Sequence, residues 1–461
     1  MSLHRFHSAL LPQGWAHDVL VRVGPQGMIA AIDSGKFAAE SAAKIPSPPA
    51  TSGIAVPGMP NAHSHAFQRA MSAAAEFRRS ARDSFWTWRN AMYALANRVD
   101  PAGLGAIARQ LFVEMLEAGY TSVAEFHYIH RRADGSAYGP DNPLHAAVLE
   151  AARDTGIGLT FLPTLYQHAD FGGAPLREDQ RRFAASVEEF IAMLGALGQA
   201  RSANGLMRLG AAFHSLRAVG PAALHETTAR LKEFDPTMPV HIHIAEQVLE
   251  VKACLAATGQ RPVQWLLSQG LLSPHWCLVH ATHANREELR GVAGTGASVA
   301  VCTTTEANLG DGLFDTAGFL KAGGLVCVGS DSEVSVDPAE ELRWLEYQQR
   351  LKRRRRAVLA ERGQAHVGTR LWSHAAQAGA RALGQPVGEL RVGARADWLV
   401  LDEAHPALAG APAEQALDRL VFGGARAAIR EVVVAGRTLV RGGRHELHER
   451  SRREFLESMR G

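Results

Sequence analysis

Apolar and polar positions in the middle of this chain alternate between a helical period and short apolar runs typical of buried strands. Leu104, Ile107, Leu111 and Met115 recur at helical spacing, and Gly119 follows them as a helix stop. The succession predicts eight strands that begin near residues 54, 121, 158, 207, 240, 276, 297 and 325. Repeated strand–helix units imply a parallel sheet, and eight strands close naturally into a (βα)8 barrel.

Both ends of the chain carry strand-like runs outside this succession. They cover residues 19–23, 28–32, 396–401 and 431–440, and the last is predicted as a hairpin that turns at Ala435-Gly436. Because neither end can bury these runs alone, we expect the two ends to pack together as a small β-sandwich.

The predicted fold class is therefore α/β, a TIM-like barrel with a small β-sandwich domain formed by the N- and C-terminal segments. We expect residues 54–385 to form the barrel, with its first strand over 54–59. Residues 1–53 and 386–461 are expected to form the sandwich. A Pro-rich stretch over residues 45–49 is expected to link the N-terminal part to the barrel.

Size and charge permit a large enzyme and narrow the choice of partners. The chain has 461 residues, 46% of them hydrophobic, which is enough for one large core and an accessory unit. Its formal charge of +3 predicts neither nucleic acid nor a membrane as a partner. The basic run over residues 350–356 is expected to be a solvated helix face. The first residues contain no long apolar region, so we expect no signal peptide.

The four cysteines lack the C-x-x-C spacing of a metal or redox site, and three of them lie in predicted strands. Disulfides persist mainly in oxidising compartments. Reduced cysteines in the core of a cytoplasmic protein are therefore the simplest interpretation of Cys254, Cys277, Cys302 and Cys327.

His63 and His65 are the strongest chemical signal in the chain. They follow the apolar run over 54–59, and residues i and i+2 of an extended strand point to the same side. Both imidazoles can therefore reach one cation, and imidazole suits Zn, Fe, Ni or Cu. The chain contains 21 His, so such a pair also arises by chance, and the pair alone leaves a metal site and an ordinary strand end both open.

Later strands also end in side chains that bind metals or move protons. His243 is followed by Glu246 after one apolar run, His280 ends the next, and Asp331 ends the last. Active sites of βα barrels lie at the carboxyl ends of the strands, so we expect these side chains to converge with the first histidine pair at one mouth. The same argument brings two further residues to this mouth, Tyr128 and His214.

Together these residues resemble the amidohydrolase superfamily. The resemblance rests on His63-Ser64-His65, on His243 with Glu246, on His280 and on Ser330-Asp331-Ser332, and it covers nearly the whole chain. It implies a metal-dependent (βα)8 barrel with a terminal β-sandwich. Binuclear members carry a bridging carboxylated lysine after the fourth strand. This chain has no candidate lysine there, so the resemblance implies a mononuclear, deaminase-like site.

Within the superfamily, four segments are similar to the formimidoylglutamate deiminases of histidine degradation. They cover residues 57–70, 125–128, 213–217 and 241–247. This similarity implies hydrolytic deimination of N-formimidoyl-L-glutamate to N-formyl-L-glutamate and ammonia in the cytoplasm. It also implies a small-molecule dicarboxylate as substrate and a homodimer as the expected assembly.

The resemblance implies a role for each candidate residue. One Zn2+ per chain would be held by His63, His65, His243 and Asp331. The implied catalytic residues are Glu246, which protonates the leaving nitrogen, His280, which stabilises the attacking oxygen, and Asp331, which takes a proton from water. The implied substrate-binding residues are Gln68, Arg89, Tyr128, His214 and Arg217.

Other interpretations stay open. Tyr128 could be an ordinary half-buried aromatic residue, His214 and Arg217 could be exposed loop residues, and His241 and His283 are weaker candidates for the site. Two further functions compete, namely deamination of a purine or other heterocycle, and a non-catalytic assembly role on the same scaffold. An Arg- and His-rich mouth favours a dicarboxylate over a purine, and a complete ligand set disfavours the non-catalytic role.

Overall fold

The computed structural model describes residues 1–43, 51–72, 76–77, 84–139, 141–199 and 206–460, and it contains two sheets. Four strands come first: β1 (Ser2–Leu11), β2 (Gly14–Val23), β3 (Ile29–Ser34) and β4 (Thr51–Pro57). The central sheet follows: β5 (Met59–Ser64), β6 (Tyr120–His127), β7 (Gly158–Leu165), β8 (Met207–Leu209), β9 (Ala211–Ser215), β10 (Val240–Ile244), β11 (Trp276–His280), β12 (Ser298–Val301) and β13 (Leu325–Val328). The last strands are β14 (Trp398–Leu401), β15 (Ile429–Val434), β16 (Arg437–Arg441) and β17 (Arg444–His445).

Most of the helices lie between strands of the central sheet. The predicted helix that ends at Gly119 is confirmed, because Asp100 caps its start and Gly119 ends it with a φ of 104°. The α-helices are α1 (Lys36–Ala43), α2 (Phe85–Arg98), α3 (Pro101–Ala118), α4 (Pro143–Thr155), α5 (Val187–Gln199), α6 (Pro221–Phe234), α7 (Val248–Thr258), α8 (Pro262–Ser268), α9 (Arg286–Thr295), α10 (Thr303–Leu309), α11 (Thr316–Lys321), α12 (Pro338–Arg353), α13 (Val367–Leu383), α14 (Ala416–Phe422) and α15 (His448–Ser458). Short 3-10 helices cover Ala66–Met71, Glu178–Phe183, Ala413–Gln415 and Arg426–Ala428.

The central sheet closes into the predicted barrel. Its strands run parallel in the order β5, β6, β7, β9, β10, β11, β12, β13, with β8 beside β7. The first and last strands meet where the Asp331 amide donates to the His63 carbonyl at 3.0 Å and the His65 amide donates to the Asp331 carbonyl at 3.2 Å. Closure therefore brings His63, His65 and Asp331 together through the backbone itself.

The remaining eight strands form one mixed sheet from both ends of the chain, in the order β17, β16, β15, β14, β4, β1, β2, β3. It encloses an apolar core of its own, which includes Phe6, Val19, Ile29 and Trp398. The predicted hairpin is confirmed, since β15 and β16 pair antiparallel across Ala435-Gly436. The accessory β unit built from the two termini is thus present as the sequence predicts.

The expected first barrel strand over 54–59 is wrong. Residues 51–57 form β4 of the terminal sheet, paired with β1 and β14, and the barrel begins with β5 at Met59. The chain changes sheets at Gly58, where a Cβ would lie 2.3 Å from the Thr121 side chain, so only glycine fits. His63 accordingly lies within the first barrel strand and His65 follows it directly.

A buried ion pair stands where the terminal sheet meets the barrel. Arg395 binds Asp397 with both Nε and Nη2, at 3.0 and 2.6 Å, and both side chains are almost fully buried. The Arg395 guanidinium lies against the start of β7, because a Cβ on Gly158 would lie 2.3 Å from its Nη2. Asp397 also accepts from the Ala435 amide at 2.9 Å, so the pair connects the hairpin to the barrel.

Two further expectations differ from the structure in detail. A single helix near residues 178–194 is wrong, because a 3-10 helix ends at Phe183 and α5 begins only at Val187. The strand expected over 207–213 is interrupted at Gly210, which packs tightly against Leu162. The Pro-rich link over residues 45–49 lies outside the described residues. In the described ranges, none of the helices combines the length and apolar character that a membrane span requires.

Candidate metal centre and active-site cavity

Four metal-binding side chains converge at the mouth of the barrel. The ligand atoms of His63, His65, His243 and Asp331 all lie within 4.8 Å of one another. The Nε2 atom of His243 lies 3.0 Å from that of His63 and 3.3 Å from that of His65. Oδ1 of Asp331 lies 3.3 and 3.4 Å from the same two atoms. All four side chains are buried, although they come from β5, the residue after it, β10 and the segment after β13.

Backbone carbonyls fix the orientation of two of these imidazoles. Nδ1 of His65 donates to the Phe126 carbonyl at 2.8 Å, and Nδ1 of His243 donates to the His214 carbonyl at 3.0 Å. Each ring therefore turns an Nε2 lone pair toward the other, an arrangement that is repulsive unless a cation or a proton lies between them. Metal-binding histidines commonly donate their second N–H to a carbonyl. The donor set thus fits a divalent metal ion.

The charge states suit the same ion. Burial lowers the pKa of His63 to about 3 and also lowers that of His65, so both rings are neutral at physiological pH. Burial opposes the charge on Asp331, but the hydrogen bond from His63 together with the nearby His63, His280 and His65 rings outweighs it, and the net lowering of the Asp331 pKa keeps this carboxylate ionised. Burial also raises the pKa of the neighbouring Cys302 thiol, which disfavours a thiolate ligand. Three neutral nitrogens and one carboxylate are ligands that zinc accepts.

Strained backbone marks the ends of the strands that carry the site. Ala245, His280 and Asp331 have φ values of 53°, 70° and 52°, in the left-handed region that L-residues rarely adopt. Each such residue costs about 1–3 kcal/mol, and such residues cluster at functional sites. The fold maintains these conformations where β10, β11 and β13 end.

His280 and Glu246 lie beside the metal centre. Nε2 of His280 is 3.7 Å from Asp331 Oδ2 and 3.9 Å from Glu246 Oε1. Burial opposes the charge on His280, but the carboxylates of Glu246, Glu306 and Asp331 raise the pKa of His280 well above its usual value. Burial raises the pKa of Glu246 to about 7, although His280 opposes this. A cationic imidazole and a carboxyl group that holds a proton near neutral pH therefore face the centre.

Three buried glutamates that the sequence reasoning missed position this machinery. Nδ1 of His280 lies 3.3 Å from Oε1 of Glu306, which also accepts from the Cys302 amide at 3.0 Å. Glu250 accepts from the Glu246 amide at 3.1 Å, and Glu125 accepts from the Ala66 amide at 2.8 Å. Position along the chain could have indicated two of them, because Glu306 follows the seventh barrel strand and Glu250 follows the fifth. Glu125 belongs to the similar segment 125–128, but it lies inside β6 rather than after it, so barrel topology did not assign it to the site.

All five expected substrate-binding residues line one cavity next to the metal centre. Nε2 of Gln68 donates to the Tyr128 hydroxyl at 3.1 Å, and burial raises the pKa of Tyr128 well above its usual value, so the hydroxyl keeps its proton. Burial lowers the pKa of His214, and Arg217 adds to this, so its ring is neutral. The expected substrate-binding residues that line the cavity are Gln68, Arg89, Tyr128, His214 and Arg217. Residues of the metal centre and its surroundings line it too, namely His65, His243, Glu246, His280 and Asp331.

Two arginines reach this cavity with buried nitrogens that have no hydrogen-bond partner among the described residues. Nε of Arg89 and Nε of Arg217 are both of this kind. The Arg89 guanidinium stacks 4.4 Å from the Trp86 ring, and burial lowers its pKa, with Arg217 adding to the effect. Burial also opposes the charge on Arg217, but Glu250 and other neighbours hold its pKa above the usual value. Two guanidinium groups with free hydrogen-bond donors in one cavity favour an anionic ligand there.

The weaker histidine candidates lie elsewhere. Nε2 of His241 donates to the Ala382 carbonyl at the end of α13, at 2.8 Å. His283 is not among the residues that line the cavity. An aromatic and apolar wall that the sequence did not predict completes the cavity, formed by Phe85, Trp88, Met92, Tyr93 and Leu309.

Comparison with known proteins places the chain in a family. The model of the amidohydrolase family matches residues 54–439. The chain belongs to the amidohydrolase family. Over 451 residues it is 48% identical to the formimidoylglutamate deiminase of Pseudomonas aeruginosa, an alignment that covers 97% of each chain. It is 26% identical to the 5-methylthioadenosine/S-adenosylhomocysteine deaminase of Halobacterium salinarum, in an alignment that covers 84% of this chain and 81% of the relative.

The same family membership is visible in three dimensions. The crystal structure of an amidohydrolase from Brucella melitensis superposes with a TM-score of 0.92, at 40% identity, over 100% of this chain and 99% of that chain. Amidohydrolases depend on a metal, and the converging histidines and aspartate of this chain form the donor group that such an ion requires. The predicted fold class and superfamily are both confirmed.

Proposed function

We propose that this amidohydrolase hydrolyses N-formimidoyl-L-glutamate to N-formyl-L-glutamate and ammonia, a reaction of histidine degradation. The observation that carries the proposal is the cavity in which two arginines with unpartnered buried nitrogens share space with the metal centre and Glu246. The substrate has two carboxylates at one end and a C–N bond to be cleaved at the other. The 48% identity to the deiminase of Pseudomonas aeruginosa supports the same assignment.

The metal in this proposal is a single Zn2+ at the barrel mouth, held by His63, His65, His243 and Asp331. The three neutral imidazoles and single carboxylate match its preferences and leave room for water. When bound, zinc would supply Lewis acidity and lower the pKa of a water molecule to about 7.

The protein's own groups would divide the proton transfers. Asp331, ionised at neutral pH, would take a proton from the attacking water, and cationic His280 would stabilise the negative charge that develops on the attacking oxygen. Glu246 would pair with the amidine nitrogen and deliver a proton to it. That proton is required because the nitrogen leaves as neutral ammonia. A pKa of about 7 leaves Glu246 able to hold it.

The carboxylates of the substrate would lie at the other end of the cavity. Arg89 and Arg217 would bind them through charge-assisted hydrogen bonds, with Tyr128 as a further donor. His214 would complete this carboxylate pocket, and Gln68 would lie near the reacting end, next to Tyr128.

Deamination of a heterocycle is the second candidate. The aromatic wall formed by Phe85, Trp88 and Tyr93 could stack against a planar base. The relative from Halobacterium salinarum deaminates such substrates, by its name, but at only 26% identity. Two arginines aimed at the cavity favour the dicarboxylate instead.

A substrate panel separates the two candidates. Zinc-loaded protein is assayed for ammonia release from N-formimidoyl-L-glutamate, S-adenosylhomocysteine and guanine at matched concentrations. The proposal expects kcat/KM to be largest for N-formimidoyl-L-glutamate by several orders of magnitude. A larger value for either heterocycle would assign the chain to the second candidate.

We also propose a cytoplasmic homodimer that binds no nucleic acid. Four free, buried cysteines support a reducing compartment. Helix α7 leaves Val248, Leu249 and Leu255 about half exposed, and such an apolar surface supports burial against a second copy. Light scattering coupled to size exclusion tests the assembly, and a mass of one chain would contradict it.

A further inference from the structure

A second cluster of histidines lies outside the metal centre, in the layer between the barrel and α4. His127 ends β6, His130 lies in the loop that follows, and His145 belongs to α4. One ring nitrogen of each lies within 4.8 Å of one from each of the others, and all three side chains are buried. Three separate segments of the chain thus bring imidazoles to one point, and the proposed reaction uses none of them.

Two of these rings are already oriented as metal-bound histidines usually are. Nε2–H of His127 donates to the Ile129 carbonyl at 2.9 Å, and Nε2–H of His130 donates to the Thr164 carbonyl at 2.9 Å. In a neutral ring this places the lone pair on Nδ1. Histidines that ligate metals commonly donate their other N–H to a carbonyl in this way.

The third ring is close enough to share an ion. Nδ1 of His130 faces Nε2 of His145 at 3.1 Å. A tetrahedral zinc ion, about 2.0–2.1 Å from each nitrogen, would set them about 3.3 Å apart. Without an ion the same contact is a hydrogen bond from His145 to His130, and the zinc content of the protein distinguishes a metal site from a hydrogen bond.

Charge and access also suit a cation. Burial lowers the pKa of His127 to about 3 and that of His130 to about 4, so both rings are neutral, the form that binds metals. His130 also lines a surface cavity of about 280 Å³, together with Tyr138, Asn142 and Glu189. Because the cavity reaches His130 but neither His127 nor His145, an ion would enter on the His130 side.

We propose that His127, His130 and His145 form a second divalent metal site, with Zn2+ as the ion that three neutral imidazoles fit best. The ion would tie α4 to the loop after β6. That loop begins at Tyr128, which lines the active-site cavity, so the site would brace one wall of the cavity. The role of this second metal ion is structural, and the ion takes no part in the proposed reaction.

Metal content per chain tests the proposal. Protein stripped with a chelator is loaded with Zn2+ alone, freed of excess ion and analysed for zinc. Wild type should hold two equivalents. His145→Phe removes a ligand but keeps an aromatic ring against Phe161, which lies 5.6 Å away, and should hold one. The matched control is His445→Phe, another buried histidine that donates to a carbonyl, and it should hold two.

A variant without the main centre keeps the test decisive if His145→Phe fails to fold. Protein carrying both His65→Ala and Asp331→Ala should still hold one zinc, and zinc should raise its Tm. Adding His145→Phe to this variant should abolish both effects. One equivalent in wild type, or none in the variant without the main centre, would overturn the second site. Two equivalents without deiminase activity would instead count against the proposed function.

Discussion

Single residues at the barrel mouth carry the chemistry, and their neighbours determine what each can do. Burial raises the pKa of Glu246 to about 7, whereas Asp331, equally buried, has its pKa lowered by the hydrogen bond from His63 and the surrounding imidazoles together. Two buried carboxyl groups thus differ in charge, which suits the proposed roles of Glu246 as proton donor and of Asp331 as metal ligand and base.

Replacing Glu246 with Gln tests the proton-delivery role. The variant should keep its zinc, because Glu246 is outside the ligand set, but kcat should fall by roughly two orders of magnitude or more, the size of general acid–base catalysis. Steady-state kinetics with metal analysis measures both quantities. Glu233→Gln, an exposed change on α6, is the control. Unchanged kcat in Glu246→Gln would remove this role.

Replacing Arg217 with Met tests the carboxylate pocket. A charge-assisted hydrogen bond contributes about 1.5–3 kcal/mol, so KM should rise roughly 10- to 100-fold while kcat changes little. Arg89→Met should act in the same direction. The exposed Arg290→Met serves as a control for loss of a positive charge. A fall in kcat with KM unaltered would contradict the role of Arg217 as an anchor.

At the scale of single residues, the sequence predicts which side chains lie at the ends of barrel strands and therefore meet at one mouth. His63, His65, His243 and Asp331 could be grouped because strand periodicity and barrel topology place them at one mouth. Arg89 could be assigned only by resemblance. Its helix precedes α3, and nothing in local pattern tells which way α2 packs against the cavity.

At the scale of elements, the barrel could be predicted because its helices and strands follow a clear period. The change of sheet between β4 and β5 could not be predicted. The apolar run continues through Gly58, and no residue in it indicates that the chain leaves one sheet for the other. Only the contact of Gly58 with Thr121 explains why the change occurs there.

The buried pair of Arg395 and Asp397 gives a prediction about how the two sheets are held together. Asp397→Ala would leave a buried guanidinium uncompensated, at a cost of about 3–5 kcal/mol, and should lower the urea midpoint markedly. Replacing both residues with Met and Leu should recover much of this loss. Asp18→Asn neutralises the partly exposed pair with Arg5 at a left-handed position (φ 47°) that Asn tolerates, and it should cost less than about 1 kcal/mol. Equal effects of the two aspartate variants would contradict the prediction.

At the scale of the whole molecule, barrel closure joins two proposed metal ligands, His63 and Asp331, that are 268 positions apart in the chain (331 − 63). The activity therefore depends on the complete barrel rather than on any one segment. The terminal sheet supports this closure from outside, since the Trp372 indole of α13 donates to the Pro57 carbonyl of β4 at 2.9 Å.

Product analysis of matched samples tests the central claim most directly. Zinc-loaded wild type and His65→Ala are incubated with N-formimidoyl-L-glutamate, and N-formyl-L-glutamate and ammonia are quantified together. Wild type should form the two products in equal amounts. His65→Ala, which lacks one ligand of the metal centre, should form neither above background. Equal turnover by both proteins, or ammonia without N-formyl-L-glutamate, would contradict the account.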